Sequence, residues 1–313
     1  MTSDEKIDGD VYTLNRGYRA SGRLVLQHGL WKDHLGWLVH PSIDLTSQQD
    51  IKVADIGTGN GLASIFQILV LVFPSYSIEE LTSHYHLSSI WLVDLARQLP
   101  APAHLDGFDI SLSQIPSKEL TSKNIAFHYL DACTPIPAHL EGQYDLVHLR
   151  LLVLGIRDSN PGPVLDNVIR LLKPGGYLQW DEGEISSMIP TNLPPTISLF
   201  HCRELLALIR SFHSGRKDSH TWVGDLPRLF EAHGLLDVKY HNPPIASKSL
   251  KYWMDNQLMG FEEASEMWER SEKEEEREKG RKLKGLIGRA FEESKRGAAI
   301  CYLPMVVVGR KGL

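Results

Sequence analysis

The chain has 313 residues, 42% of them apolar, which is enough for one large or two small domains with a buried core. A formal net charge of −6, without a clustered basic stretch, argues against nucleic acid as an obligate partner. Three scattered cysteines, Cys133, Cys202 and Cys301, supply neither a disulfide framework nor a metal site, and suit a reducing, intracellular setting.

Residues 1–11 are polar and acidic, and read as a disordered tail rather than a secretory signal. Residues 12–40 read as helical and stop at Pro41, which makes 12–45 an N-terminal helical segment. A first strand, Ile51–Ile56, runs into the turn Gly57-Thr-Gly-Asn-Gly61. The longest apolar run, Leu62–Phe73, is interrupted by Ser64 and Gln67 and ends at Pro74. It falls short of the roughly 18–20 residues that span a bilayer, so no membrane segment is expected.

A second strand ends at Leu105–Ile110, a third at Ile125–Leu130 closed by Asp131, and a fourth is Tyr144–Leu149. A helix over Val164–Leu172 is stopped by Lys173-Pro-Gly-Gly176, and a fifth strand follows at Tyr177–Trp180. Residues 190–222 and 250–296 read as a helical cover, and Leu226–Gly234 as a helix feeding a strand at Leu236–Tyr240. Ala299–Val308 reads as a final strand. The charged stretch Glu262–Lys284 reads as the solvated face of a helix with opposite charges at i,i+4. Strands alternating with helices imply a mostly parallel α/β sheet covered on both faces.

The chemistry concentrates at the carboxyl ends of the first three strands. Asp55-x-Gly57-x-Gly59-x-Gly61 is a turn whose glycines allow close backbone approach to a ligand and aim amides at it. Such a turn also fits nicotinamide, flavin and nucleotide folds, or a plain turn. Asp109 ends the second strand, where a carboxylate can accept from both hydroxyls of a ribose. Asp131 ends the third, where it can meet an adenine amino group. A turn acid at Asp55, and helix caps at Asp109 and Asp131, are the structural alternatives.

Several stretches resemble the class I S-adenosylmethionine-dependent methyltransferases, and among them the fungal secondary-metabolite group that includes gliotoxin N-methyltransferase-like enzymes. These are Tyr12–Leu24, Gln27-His28, His40–Ile43, Ala54–Gly59, Ile90–Ala96, Leu105–Ser111, Tyr144–Arg150 and Leu172–Glu182. The resemblance implies a Rossmann-like sheet of seven strands, mostly parallel with the last antiparallel, under an N-terminal helical lid, in a domain spanning 46–313. It implies S-adenosylmethionine as cofactor, contacted by Asp55, Gly57, Gly59, Gly61, Asp109 and Asp131, and a small-molecule acceptor. Arg23, with Arg16 and Gln27 beside it, is a lid candidate for the methionine carboxylate. A cytoplasmic enzyme is expected. The alternative is a regulatory, nuclear relative working with a protein partner.

One spacing departs from that pattern. Gly61 and Asp109 lie 48 positions apart, where about 20 is usual between such a turn and its ribose acid. Removing the 28 residues Leu62–Ser89 restores it and joins the turn to Ile90–Leu99, whose apolar residues have helical spacing. The segment contains no Gly, Asp, Asn, Lys or Arg, unlike a surface loop. It reads as a translated, unspliced intron, with a chain inactivated by it as a further alternative for function; the structural rival is that Leu62–Phe73 is itself the first helix.

Methyl transfer is an in-line displacement that chiefly needs positioning, with a general base only for a protonated acceptor. His148 and Glu182, near the ends of the fourth and fifth strands, are the candidate bases, with structural hydrogen bonding as the rival role. Trp180, Trp222 and Trp253 either line an aromatic acceptor pocket or pack the core.

Overall fold

The computed structural model describes residues 18–45, 50–58, 90–100, 102–112, 115, 119, 121–183, 187–213 and 220–313. The expected tail 1–11, Arg16, the turn glycines Gly59 and Gly61, and the segment 62–89 lie outside them.

Seven strands form one sheet: β1 (Ile51–Ile56), β2 (Ala103–Asp109), β3 (Ile125–Tyr129), β4 (Tyr144–Arg150), β5 (Leu172–Gly183), β7 (Leu235–His241) and β9 (Pro304–Lys311). Their order is β3-β2-β1-β4-β5-β9-β7. The pairs β1–β2, β1–β4, β2–β3 and β4–β5 are parallel, and β9 is antiparallel to both β5 and β7. This is the mostly parallel, Rossmann-like sheet with an antiparallel last strand. Strand order reverses between β1 and β4, and ligands of such sheets bind at the carboxyl ends beside that switch point.

The buried strands read as nearly continuous apolar runs because both faces are covered. Residues 144–149 of β4 are all buried. Helices α1 (Tyr18–Leu35) and α2 (Ile90–Ala96) cover one face, and α3 (Gly162–Leu171) the other. In α3, Val164, Leu165, Val168 and Leu171 follow helical spacing and form its buried stripe. Helix α2, the first described element after the β1 turn, buries Trp91, Leu92, Val93 and Leu95.

Gly176, between α3 and the main part of β5, has no room for a side chain. A Cβ there would lie 2.9 Å from the Tyr144 carbonyl oxygen and 3.2 Å from that of Asp145. The expected Pro-Gly-Gly stop therefore also lets β5 pass close to β4.

The covering elements differ from expectation in three places. The expected strand 299–308 is two strands: β8 (Ala298–Cys301) pairs with β6 (Ile189–Asn192) in a separate two-stranded sheet, and β9 begins at Pro304. The expected helical cover 190–222 thus opens with a strand, and its described helix is α4 (Phe200–His213). A short α5 (Leu226–Ala232) precedes β7. The 250–296 cover is two helices, α6 (Leu250–Glu269) and α7 (Glu274–Ser294). Ser271 marks the break: its hydroxyl accepts from the Lys273 amide and donates to Glu276. Within α7, Leu283, Leu286, Ile287 and Ala290 form the buried face. Glu275–Lys279 is an i,i+4 pair on its solvated side.

Candidate active site

The turn after β1 is built by backbone geometry. Gly57 takes a φ of +69°, and a Cβ on it would sit 2.9 Å from Leu152 Cδ1. The amides of Gly57 and Thr58 donate to the Phe108 carbonyl at 2.8 and 3.1 Å, which binds the turn to the end of β2. These two amides are therefore engaged within the protein rather than aimed outward.

The three strand-end acids stand side by side. Asp55 pairs in register with Gly107 of β2, while Asp109 ends β2 opposite Tyr129 of β3, and Asp131 lies two residues beyond. Asp109 is partly exposed and accepts the Ser111 amide at 3.0 Å. Asp131 is also partly exposed and accepts the Cys133 amide at 2.9 Å. The Leu130 amide donates to the Asp109 carbonyl, fixing the two ends together. Asp55 is buried, and Thr58 Oγ1 donates to its Oδ2 at 2.8 Å.

From Asp55 a polar row crosses the sheet on the face beneath α1 and α2. Register places Asp55 opposite His148, His148 opposite Gln179, and Arg150 opposite Asp181. His148 Nδ1 lies 2.7 Å from Asp55 Oδ1, and its Nε2 3.1 Å from Asp181 Oδ2. Arg150 donates to the same Asp181 oxygen through Nε at 3.0 Å and Nη2 at 2.6 Å. Gln179 Nε2 donates to Asp181 Oδ1 at 2.9 Å and to the Leu38 carbonyl at 3.0 Å. The Trp91 indole lies flat on the His148 ring, with centroids 3.8 Å apart and planes 2° apart.

The row continues into α1. Arg150 Nη1 lies 3.3 Å from His28 Nδ1, and His28 Nε2 lies 3.1 Å from Asp94 Oδ2 on α2. A guanidinium only donates, so Nδ1 of His28 accepts and Nε2 carries the proton toward Asp94. His28 is accordingly neutral: burial lowers its pKa, and the charge of Arg150 adds to the effect against the hydrogen bond to Asp94. Asp94 is held well below the usual carboxylate range, first by the His28 hydrogen bond and then by Lys32.

The two candidate bases are not brought together. His148 is buried on the α1 face, with both ring nitrogens committed to carboxylates. Burial disfavours its charged form, but Asp181 and then Asp55 outweigh burial and raise its pKa. Glu182 lies on the opposite face, fully buried, where it accepts from Trp180 Nε1, the Val153 amide and the Gly183 amide. Burial pushes its carboxyl up to about 7 against those hydrogen bonds.

Arg23 is buried, and its Nε donates to Glu263 of α6 at 2.9 Å; its carbonyl accepts from Asn256 of the same helix. Gln27 also reaches Asn256. Trp180 and Trp222 pack together in one core cluster, while Trp253 packs with Trp31 and Tyr302 in the other. The three tryptophans therefore do not line one pocket.

Sequence reasoning missed Asp181, Arg150, His28 and Trp91. A signal for two of them was present: His148 and Arg150 in β4, like Gln179 and Asp181 in β5, are polar residues at spacing two inside apolar strands. That spacing puts each pair on one face. Among the described residues, no group of His, Cys, Asp and Glu side chains has the arrangement of a metal site. Among the same residues, no helix is long and apolar enough to cross a membrane.

The chain resembles fungal secondary-metabolite N-methyltransferases. It is 29% identical over 209 residues to the methyltransferase grgD of a Penicillium species, a match covering 66% of this chain and 63% of that protein. It is 29% identical to the N-methyltransferase sirN of Leptosphaeria maculans, over 61% of this chain and 56% of that one. For the N-methyltransferase gliN of Aspergillus fumigatus the identity is 28%, over 57% and 52%. The match thus spans between half and two thirds of each relative's length. No family model matches the chain. Among solved structures, an S-adenosylhomocysteine complex of a methyltransferase from Thiobacillus denitrificans is 13% identical, with a TM-score of 0.42 over 99% of this chain and 96% of that one.

Proposed function

We propose that the chain is an S-adenosylmethionine-dependent methyltransferase acting on a small-molecule N, O or S acceptor. The observation that carries this reading is the adjacency of Asp55, Asp109 and Asp131 at the carboxyl ends of three neighbouring strands, beside the Gly57 turn and the sheet's switch point. The donor set fits the cofactor. Asp109 offers a partly exposed carboxylate for the ribose hydroxyls, and Asp131 one for the adenine amino group. Gly57, where a side chain would run into Leu152, keeps the turn beside them tight. When bound, the cofactor supplies an electrophilic methyl group on a sulfonium.

The protein's part in this reading is positioning. His148 has no nitrogen left for an acceptor's proton, and Glu182 is sealed among backbone amides and Trp180. Neither of these two side chains takes a proton from the acceptor, and an acceptor that enters with its lone pair available needs only to be held in line with the methyl group. Arg23 serves to fasten α1 onto α6. The acidic net charge agrees with a small-molecule acceptor rather than nucleic acid.

Thermal unfolding separates this reading from a nicotinamide-dependent one. S-adenosylhomocysteine at 100 times its Kd should stabilise the fold by about 2.7 kcal/mol, and NAD should leave it unchanged. Stabilisation by NAD alone would overturn the proposal.

A second reading concerns residues 62–89. Helix α2 occupies the seat of the first helix after β1, with Trp91 against the His148 ring and its Nε1 donating to the Leu38 carbonyl. This favours the turn and α2 as parts of one unit that a translated intron separates. Mature transcripts lacking these codons, and a chain without them that binds S-adenosylhomocysteine at least as tightly, are the expected results. Transcripts that retain the codons, with turnover by the full-length protein, would overturn it.

A further inference from the structure

We propose that His148 stands as an imidazolium clamped between Asp55 and Asp181, and that it is a positioning residue coupling the cofactor turn to the N-terminal helix. The role in cofactor binding rests on the reading of residues 55–58 as that turn; the state of the ring does not.

The hydrogen-bond geometry leaves little freedom. Both neighbours of the ring are carboxylates, which accept, and an imidazole donates from both nitrogens only when protonated. Asp181 already receives Arg150 through two nitrogens and Gln179 through a third, a set of donors that fits its ionised form. Asp55 receives the Thr58 hydroxyl. A neutral His148 would leave two buried carboxylates, at 4% and 0% exposure, facing one guanidinium. A protonated ring evens the charge in a place where an unmatched charge is costly.

The surroundings agree from every side. Trp91 presents its π face to the ring at stacking distance, an arrangement that favours a cation. Arg150, on the same strand, shares the Asp181 Oδ2 oxygen with His148, so that one carboxylate lies between the two cations, while its Nη1 faces the acceptor nitrogen of His28. His40, from the segment after α1, has its pKa lowered by burial and then by His241 and Lys239 against the pull of Asp181, and its amide donates to Gln179.

The consequence reaches the turn. Asp55 anchors Thr58 from one side, while the Phe108 carbonyl holds the Gly57 and Thr58 amides from the other. His148 fixes the rotation of the Asp55 carboxylate, and through Asp181, Arg150 and His28 it fixes the seating of α1. The turn and the lid helix are thus set by one chain of hydrogen bonds.

The test uses the ligand-free full chain with ¹⁵N-labelled histidine rings, the His148 signal being identified by its loss in His148→Gln. Both ring nitrogens should remain in the protonated position between about pH 5 and pH 8, where an ordinary histidine titrates. In Asp181→Asn, which keeps the imidazole but removes one carboxylate, the ring should titrate inside that window. A wild-type ring with one unprotonated nitrogen at neutral pH would overturn the imidazolium. By calorimetry, wild-type affinity for S-adenosylhomocysteine should be flat over the same range, and His148→Gln should weaken it roughly tenfold or more. Unchanged affinity in His148→Gln, with an imidazolium seen in the wild type, would overturn the positioning role. Absence of binding by the wild type, and equally by the chain lacking residues 62–89, would instead count against the cofactor reading, while the ring spectrum still decides the state of His148.

Discussion

Asp181 and Glu182 are consecutive residues of β5, both 0% exposed, yet their carboxyls are driven in opposite directions. Asp181 points to the face beneath α1. There burial opposes its charge, but Arg150 and His148 prevail and hold its pKa below the ordinary value. Glu182 points to the face that carries Val147, Leu149, Leu178 and Trp180, where burial prevails and the carboxyl rises to about 7. One turn of the pleat separates a paired carboxylate from an acid held toward its neutral form. Burial alone does not set ionisation; the charges sharing the burial do. The polar face is organised by partners that must all be present, and the apolar face by volume.

The largest expected effect comes from breaking the polar face. Arg150→Ala leaves Asp181 buried with its main cation gone, and should cost about 3–5 kcal/mol of unfolding free energy in denaturant titration. Combined with His28→Ala, the losses should be clearly non-additive, because both residues belong to one network. Additive losses would mean that the row is a set of independent contacts.

On the other face, Leu149→Ala should cost about 3 kcal/mol through lost burial and a residual cavity. That loss should add to the loss from a distant core truncation such as Phe230→Ala.

The acid on the apolar face makes a pH-dependent prediction. The folded pKa of Glu182, about 7, lies above its ordinary value of 4.5, so the native state holds the extra proton. Its contribution is fully present below the unfolded pKa and falls as pH rises toward the folded one, levelling off above it. Between pH 5 and pH 8 this group should remove on the order of 2–3 kcal/mol of stability, and Glu182→Gln should abolish that slope. An unchanged slope in the variant would assign the dependence elsewhere. His148 has the opposite chemistry with the same sign: its raised pKa gives stability present below about pH 6.5 and lost only as pH rises through the folded value.

The smallest effect belongs to the solvated surface. Lys279→Ala, which removes an exposed partner of Glu275 on α7, should leave the unfolding midpoint unchanged within error.

These contrasts also show what the sequence could reveal. The β1 strand, the positive-φ glycine and the acids closing β2 and β3 were legible because each is a local signal: an apolar run, a turn residue, a charged stop. The His148–Asp181–Arg150 cluster was not, because it depends on the register between β4 and β5, which no local pattern fixes. Glu182 looked like a site residue because it stands near the carboxyl end of the fifth strand, yet the pleat turns it into the core. The division of 299–308 into β8 and β9 was hidden for the same reason, since Ala298–Cys301 finds its partner more than a hundred residues away in β6. The break between α6 and α7 did have a local cue in Ser271, overshadowed by the surrounding charges.

The cofactor site at the ends of β1, β2 and β3 is tested most directly by titrating S-adenosylhomocysteine into the chain lacking residues 62–89 and into its Asp109→Ala variant, in a calorimeter. Removal of a charged acceptor for ribose hydroxyls should cost about 1.5–3 kcal/mol, a weakening of roughly tenfold or more. Equal affinity in the two proteins, or no binding to the parent chain lacking residues 62–89, would contradict a cofactor held by these strand-end acids.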